Sequence, residues 1–104
     1  KLMKTGGISN AIRIADIAAM HEIECMIGCM LETSISVAAA VHVAVAKADV
    51  ITKIDLDGPS LCLFNPVDGG VIFNESEISV TDAPGLGIRE IHGLEPIDVG
   101  TAAA

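Results

Sequence analysis

Residues 24–56, ECMIGCMLETSISVAAAVHVAVAKADVITKIDL, decide the fold. Glu24-Cys25-Met26-Ile27 is a short apolar run closed by Gly28, which reads as a buried strand. Glu32-Thr33-Ser34 then introduces a helix over residues 35–47. Its Ile, Val and Ala side chains leave almost no polar face, as expected of a helix packed on several sides. Residues 50–56 form the next strand, broken by Asp57-Gly58-Pro59. A strand, a helix of about a dozen residues and another strand make a βαβ unit, which implies a parallel sheet.

Upstream, Lys1-Leu2-Met3-Lys4 reads as the end of a strand and Thr5-Gly6-Gly7 as a turn. Ser9 or Asn10 can cap a helix running to about His21, with Ile12, Ala15 and Ala19 on one face. The order becomes strand, helix, strand, helix, strand. Downstream the pattern changes. Residues 65–70 read as a turn-rich loop. Val71-Ile72-Phe73 and Ile78-Ser79-Val80 flank Asn74 to Glu77 as a hairpin would. Asp82-Ala83-Pro84-Gly85-Leu86-Gly87 is a rigid turn segment, and residues 101–104 look like a tail. The expected division is 1–62 for the βαβ part and 63–104 for a C-terminal extension.

The charge balance of 6 basic to 14 acidic residues, formally −8, argues against nucleic acid and anionic membrane surfaces as partners, since both need clustered Lys and Arg. No apolar run approaches the ~18 residues of a transmembrane helix. Hydrophobic residues make up 51% of the chain and mean hydropathy is +0.59, yet Trp and Tyr are absent and only Phe64 and Phe73 are aromatic. A core of Ala, Val, Ile and Met suits elements buried on several sides of a larger body. With the opening at Lys1, this leads to the expectation that the sequence is a piece of a longer chain. Cys25, Cys29 and Cys62 have no disulfide-framework spacing, which fits a reducing cytoplasm. His42 reads as a hydrogen-bonded core histidine.

Three places stand at the C-terminal ends of expected strands, where parallel α/β proteins bind ligands. They are Lys1, Gly28-Cys29-Met30-Leu31-Glu32 and Asp55-Leu56-Asp57-Gly58-Pro59. Asp55 and Asp57 alternate along a strand end and so point to one side. Two such carboxylates repel each other unless a cation joins them, an ammonium group or a metal. A solvated strand end is the plain alternative, and a lone lysine such as Lys1 is ordinarily a surface charge.

The wording around these residues is more specific. Lys1-Leu2-Met3-Lys4-Thr5-Gly6-Gly7-Ile8 resembles the end of the sixth barrel strand in the muconate-lactonizing branch of the enolase superfamily. Residues 25–34 resemble the seventh strand and its loop, and Asp55-Leu56-Asp57-Gly58-Pro59 the eighth, in the form found in dipeptide epimerases. Gly69-Gly70-Val71 and Ala83-Pro84-Gly85-Leu86-Gly87-Ile88 resemble the segment after the barrel. Together the resemblance covers residues 1–88 in order.

The resemblance implies an α/β fold: a partial (β/α)8 TIM-barrel sector, strands six to eight with two helices, followed by a hairpin-like extension. It implies 1,1-proton transfer at the α-carbon of the C-terminal residue of a dipeptide, of Ala-Glu type. The enediolate would be stabilised by Mg2+. Lys1 corresponds to one of two opposed acid–base lysines, a role that needs a pKa lowered by burial and nearby positive charge. Asp55 and Asp57 correspond to the pair that binds the substrate's α-ammonium group. Cys29, Met30 and Leu31 correspond to pocket-lining positions, partly through backbone groups. The second lysine and the Mg2+ ligands correspond to strands that precede this sequence, so no metal ligand is assigned here. A small-molecule dipeptide partner, a homo-oligomeric whole enzyme and inactivity of the isolated piece are further expectations. A cycloisomerase or an o-succinylbenzoate synthase of the same superfamily is the alternative. A non-catalytic α/β interaction module, or a piece completed by a separate chain, is the alternative of another class.

Overall fold

The computed structural model describes residues 1–100. The tail reading at 101–104 lies outside them. The element order is α1 (Leu2–Thr5), α2 (Ile8–Met20), β1 (Cys25–Gly28), α3 (Ser34–Ala46), β2 (Ile51–Asp55), a 3-10 turn (Gly58–Leu61), β3 (Val67–Gly69), β4 (Ile72–Asn74), β5 (Glu77–Ser79) and β6 (Ile88–Ile91).

The βαβ reading of residues 24–56 holds. β1 and β2 pair in parallel, with Gly28 opposite Asp55 at their C-terminal ends. α3 crosses between them. Its start is set by Thr33, whose side chain accepts from the Ile35 amide. Val37, Ala38, Ala40, Val41, Val43 and Ala44 of this helix are all buried. They form the main core with Ile27, Ile51 and Leu56. An apolar surface all round α3 is what this packing requires.

The expected strand end at residues 1–4 is instead one helical turn. The amides of Lys4 and Thr5 both donate to the Lys1 carbonyl, at 3.0 and 3.1 Å. Gly6 closes the turn in the left-handed region, at φ 85°. Leu, Met and Lys lose little rotamer freedom in a helix, so local bonding suffices. The helix cap is also corrected. Gly7, not Ser9 or Asn10, precedes the first helical residue, and no side chain caps it. The buried face of α2 is Ala11, Ala15 and Ala18, while Ile14 and Ile17 are exposed. Small side chains let α2 approach the α3 layer closely, and the large ones face away.

The expected hairpin is β4–β5, with Phe73 opposite Ile78. Glu75 makes its turn at φ 54°. Residues 65–70 are not only loop, because β3 pairs antiparallel with β6. Pro66, Asp68 and Gly69 read locally as turn residues, and the partner strand lies some twenty residues away. The extension is tied to α3 through Asn65, whose side-chain oxygen accepts from the Ser34 hydroxyl and from the Val67 amide. Val71 enters the main core, with Ile78 and Leu86 packed against it. His42 is half-buried and makes no side-chain hydrogen bond among the described residues, which corrects that expectation. The periodicity of α3 places it partly inward, but no polar partner faces it.

Candidate active site

The site is organised by two glycines at the C-terminal ends of β1 and β2. Gly28 ends β1 opposite Asp55. A Cβ at Gly28 would meet Lys1 Cε at 3.5 Å, the Asp55 carbonyl at 3.6 Å and Lys1 Cγ at 3.8 Å. The Lys1 stem therefore lies across Gly28, beside the end of β2. Its ammonium group donates to Met30 Sδ at 3.5 Å. Lys1 thus reaches the strand ends from a helical turn rather than from a strand.

Gly58 performs the second juxtaposition. A Cβ there would fall 2.9 Å from the Glu32 carbonyl, 3.0 Å from the Glu32 nitrogen and 3.0 Å from the Met30 carbonyl. The loop after β1 and the loop after β2 touch backbone to backbone at this point. The Gly58 backbone can approach those of Met30 and Glu32 because residue 58 has no side chain.

Asp55 and Asp57 are both exposed and flank Leu56, which is 4% exposed and part of the core. The inward Leu56 holds them at the surface. Strict strand alternation does not reach Asp57, whose φ of −90° and ψ of −2° begin the 3-10 turn. Both aspartates nonetheless line one hollow of about 540 Å³, shared with Ile54, Phe73, Glu75 and Ile78. No residue of β1 lines it, and among the described residues β2 pairs with β1 alone. The hollow follows the unpaired edge of β2, where a further strand would fit. Its volume is thus no measure of a substrate cavity.

The other expected pocket residues separate. Cys29 is half-buried and packs against the core, so it can offer a ligand its backbone more readily than its thiol. Leu31 is 74% exposed. Met30 is half-exposed and alone of the three touches Lys1. Sequence reasoning placed Glu32 and Gly58 within two strand-end segments and gave neither a role. Glu32 is 6% exposed, and its carboxylate accepts from the Met30 amide at 2.6 Å and from the Ser36 hydroxyl. A contact such as that at Gly58 leaves no signal in one sequence.

Three surface ion pairs each shift one member, and none involves Lys1, Asp55 or Asp57. A hydrogen bond from Lys53 lowers the Glu24 carboxyl, one from Arg89 lowers Asp68, and the bond to Asp16 raises Lys47. Among the described residues no three His, Cys, Asp or Glu side chains gather as a metal site. No helix among them is long and apolar enough to cross a membrane.

Comparison with known proteins gives this geometry a context. The L-Ala-D/L-Glu epimerase of Clostridium acetobutylicum is 56% identical over 92 residues, which is 88% of this chain and 25% of that protein. The substrate-liganded L-Ala-D/L-Glu epimerase of Bacillus subtilis superimposes with a TM-score of 0.81 at 40% identity, over 86% of this chain and 24% of that one. A dipeptide epimerase from Methylococcus capsulatus, complexed with Mg ion, gives 0.76 at 40% identity, over 85% and 25%. The chain spans about a quarter of the length of the curated relatives it matches, 25% and 24% for the first two. Its parallel βαβ unit is a sector of the enolase-type (β/α)8 barrel. Residues 1–90 match the enolase C-terminal domain-like family, and the chain belongs to that family.

Proposed function

We propose that this chain supplies the C-terminal barrel sector of a dipeptide epimerase, with residues 1–62 in the barrel and 63–104 as the extension. The observation that carries the reading is that Lys1 and Met30 lie against the C-terminal end of β1 while Asp55 and Asp57 stand at and just beyond that of β2, its parallel neighbour. The relatives' names, all with D/L-inverting activities, supply the reaction class.

In this reading Lys1 is one of two opposed acid–base lysines. Its stem is braced by Gly28, which limits where the amine can reach. Proton transfer from an α-carbon needs the amine held about 3 Å from its target, and a displacement of ~1 Å costs up to ~100-fold, so the bracing serves the chemistry. Lys1 is exposed in this chain. The burial that such a lysine needs then comes from the rest of the enzyme. Asp55 and Asp57 hold the substrate's α-ammonium group, with Leu56 anchoring their backbone. An enediolate requires a divalent cation, Mg2+ in this reading. The described residues form no cluster for it, so its ligands belong to other parts of the enzyme. A cytoplasmic, homo-oligomeric enzyme acting on small dipeptides completes the proposal.

The test is Asp55→Asn and Asp57→Asn in the whole enzyme. A hydrogen bond to a charged group contributes about 1.5–3 kcal/mol. KM for a dipeptide should rise by about tenfold to 150-fold in each variant, with a smaller change in kcat. An N-acetylated dipeptide, lacking the ammonium, should be a poor substrate for wild type and insensitive to either change. Unchanged KM in both variants would refute the ammonium assignment. It would also return the cycloisomerase reading, which the aspartate pair disfavours, to consideration.

A further inference from the structure

We propose that Glu32 is a positioning residue that sets Met30, and through it the Lys1 amine, at the mouth of the site. Its kinetic consequence rests on the dipeptide epimerase reading above, and its geometric consequence does not.

Glu32 is one of two buried polar side chains among the described residues, with Ser34. Burying a carboxylate costs several kcal/mol unless hydrogen bonds compensate. Both oxygens are engaged. One accepts from the Met30 amide at 2.6 Å, the other from the Ser36 hydroxyl on the first turn of α3. The Glu32 amide in turn donates to the Met30 carbonyl at 2.9 Å. Four groups of two residues therefore close a tight loop, and Ser36 pins that loop to the helix. Gly58 packs its backbone against the outer side. The Met30 thioether projects from this fixed backbone and accepts from the Lys1 ammonium at 3.5 Å. A solvated strand-end loop would have no need of a buried acid. This loop carries one, and among the described residues Met30 is the side chain that hydrogen-bonds Lys1.

A glutamine can reproduce both bonds, with its carbonyl oxygen accepting from the Met30 amide and its NH2 group donating to the Ser36 oxygen. An alanine can reproduce neither. The experiment compares Glu32→Gln and Glu32→Ala in the whole enzyme. The geometric readout is the NOE between the Met30 ε-methyl and the Lys1 ε-methylene. It should persist in wild type and Glu32→Gln and vanish in Glu32→Ala. The kinetic readout is α-proton exchange of a dipeptide in deuterated water. A displacement of ~1 Å costs up to ~100-fold, so kcat of Glu32→Ala should fall about tenfold to 100-fold. KM should move less, and Glu32→Gln should retain kcat to within about threefold. Ser36→Ala removes one of the two bonds and is the milder variant if Glu32→Ala does not fold; it should weaken the NOE. An NOE that survives Glu32→Ala, or that is undiminished in Ser36→Ala, overturns the proposal, as does a lost NOE with unchanged kcat. If wild type exchanges no dipeptide proton, the epimerase reading has failed, and the NOE alone still decides the role of Glu32.

Discussion

Replacing Gly58 by alanine adds one methyl group at the contact between the two strand-end loops. Its three nearest neighbours, at 2.9, 3.0 and 3.0 Å, are all backbone atoms of Met30 and Glu32. No side-chain rotation can relieve contacts of that kind. One loop must move, and the hydrogen bond from the Met30 amide to Glu32 moves with it. Overpacking of this type costs about 1–3 kcal/mol. The folded-to-unfolded ratio should therefore fall by about fivefold to 150-fold. Gly28→Ala is the matched control, at the same end of the same sheet. There the new methyl would stand 3.5 Å from the Lys1 stem and 3.6 Å from the Asp55 carbonyl, which is ordinary contact. Urea unfolding of both variants beside wild type, followed by circular dichroism, measures the difference. Gly58→Ala should lower the midpoint clearly and Gly28→Ala should change it by less than about 0.5 kcal/mol. Equal midpoints for the two variants would refute the claim that the loops meet at Gly58.

Asn65→Ala should cost about 1–3 kcal/mol in the same assay, since it orphans the buried Ser34 hydroxyl and the Val67 amide together; Asn65→Asp, which keeps an acceptor, should cost less. The Asp68 carboxyl is held below its ordinary value by the hydrogen bond from Arg89. A depressed folded-state pKa contributes stability above the unfolded value and loses it as pH falls through the folded one. Wild type should therefore exceed Arg89→Met in stability at neutral pH, and the gap should close in acid; a gap independent of pH counts against the pair. The isolated chain should exchange no α-proton of Ala-Glu with deuterated solvent, because its described residues bring neither a second lysine nor a metal cluster to the site. Exchange above the rate of a Lys1→Met control would overturn the partial-site reading.

The βαβ unit was legible because its signals are local. An apolar run closed by Gly28, a cap at Thr33 and a helix apolar on all faces each depend on neighbours in sequence. The hairpin around Glu75 was legible for the same reason. Residues 1–4 were misread because a four-residue segment of Leu, Met and Lys fits a strand end or a helical turn equally well. Only the bonds to the Lys1 and Leu2 carbonyls distinguish them. The β3–β6 pair was invisible because its register joins Asp68 to Glu90 across an intervening hairpin.

The candidate site divides in the same way. Lys1, Asp55 and Asp57 could be named from residue type, order and spacing, since those carry the family resemblance and the strand-end logic. Sequence alone thus determined the α/β class, the family and the principal candidate residues. Tertiary structure alone decided that Lys1 lies over Gly28 and touches Met30, that Gly58 meets the loop of Met30 and Glu32, and that Glu32 is buried. The reason is physical. Strand and helix periods are set within a few residues, whereas close approach of two loops depends on the packing of the helix and sheet that carry them.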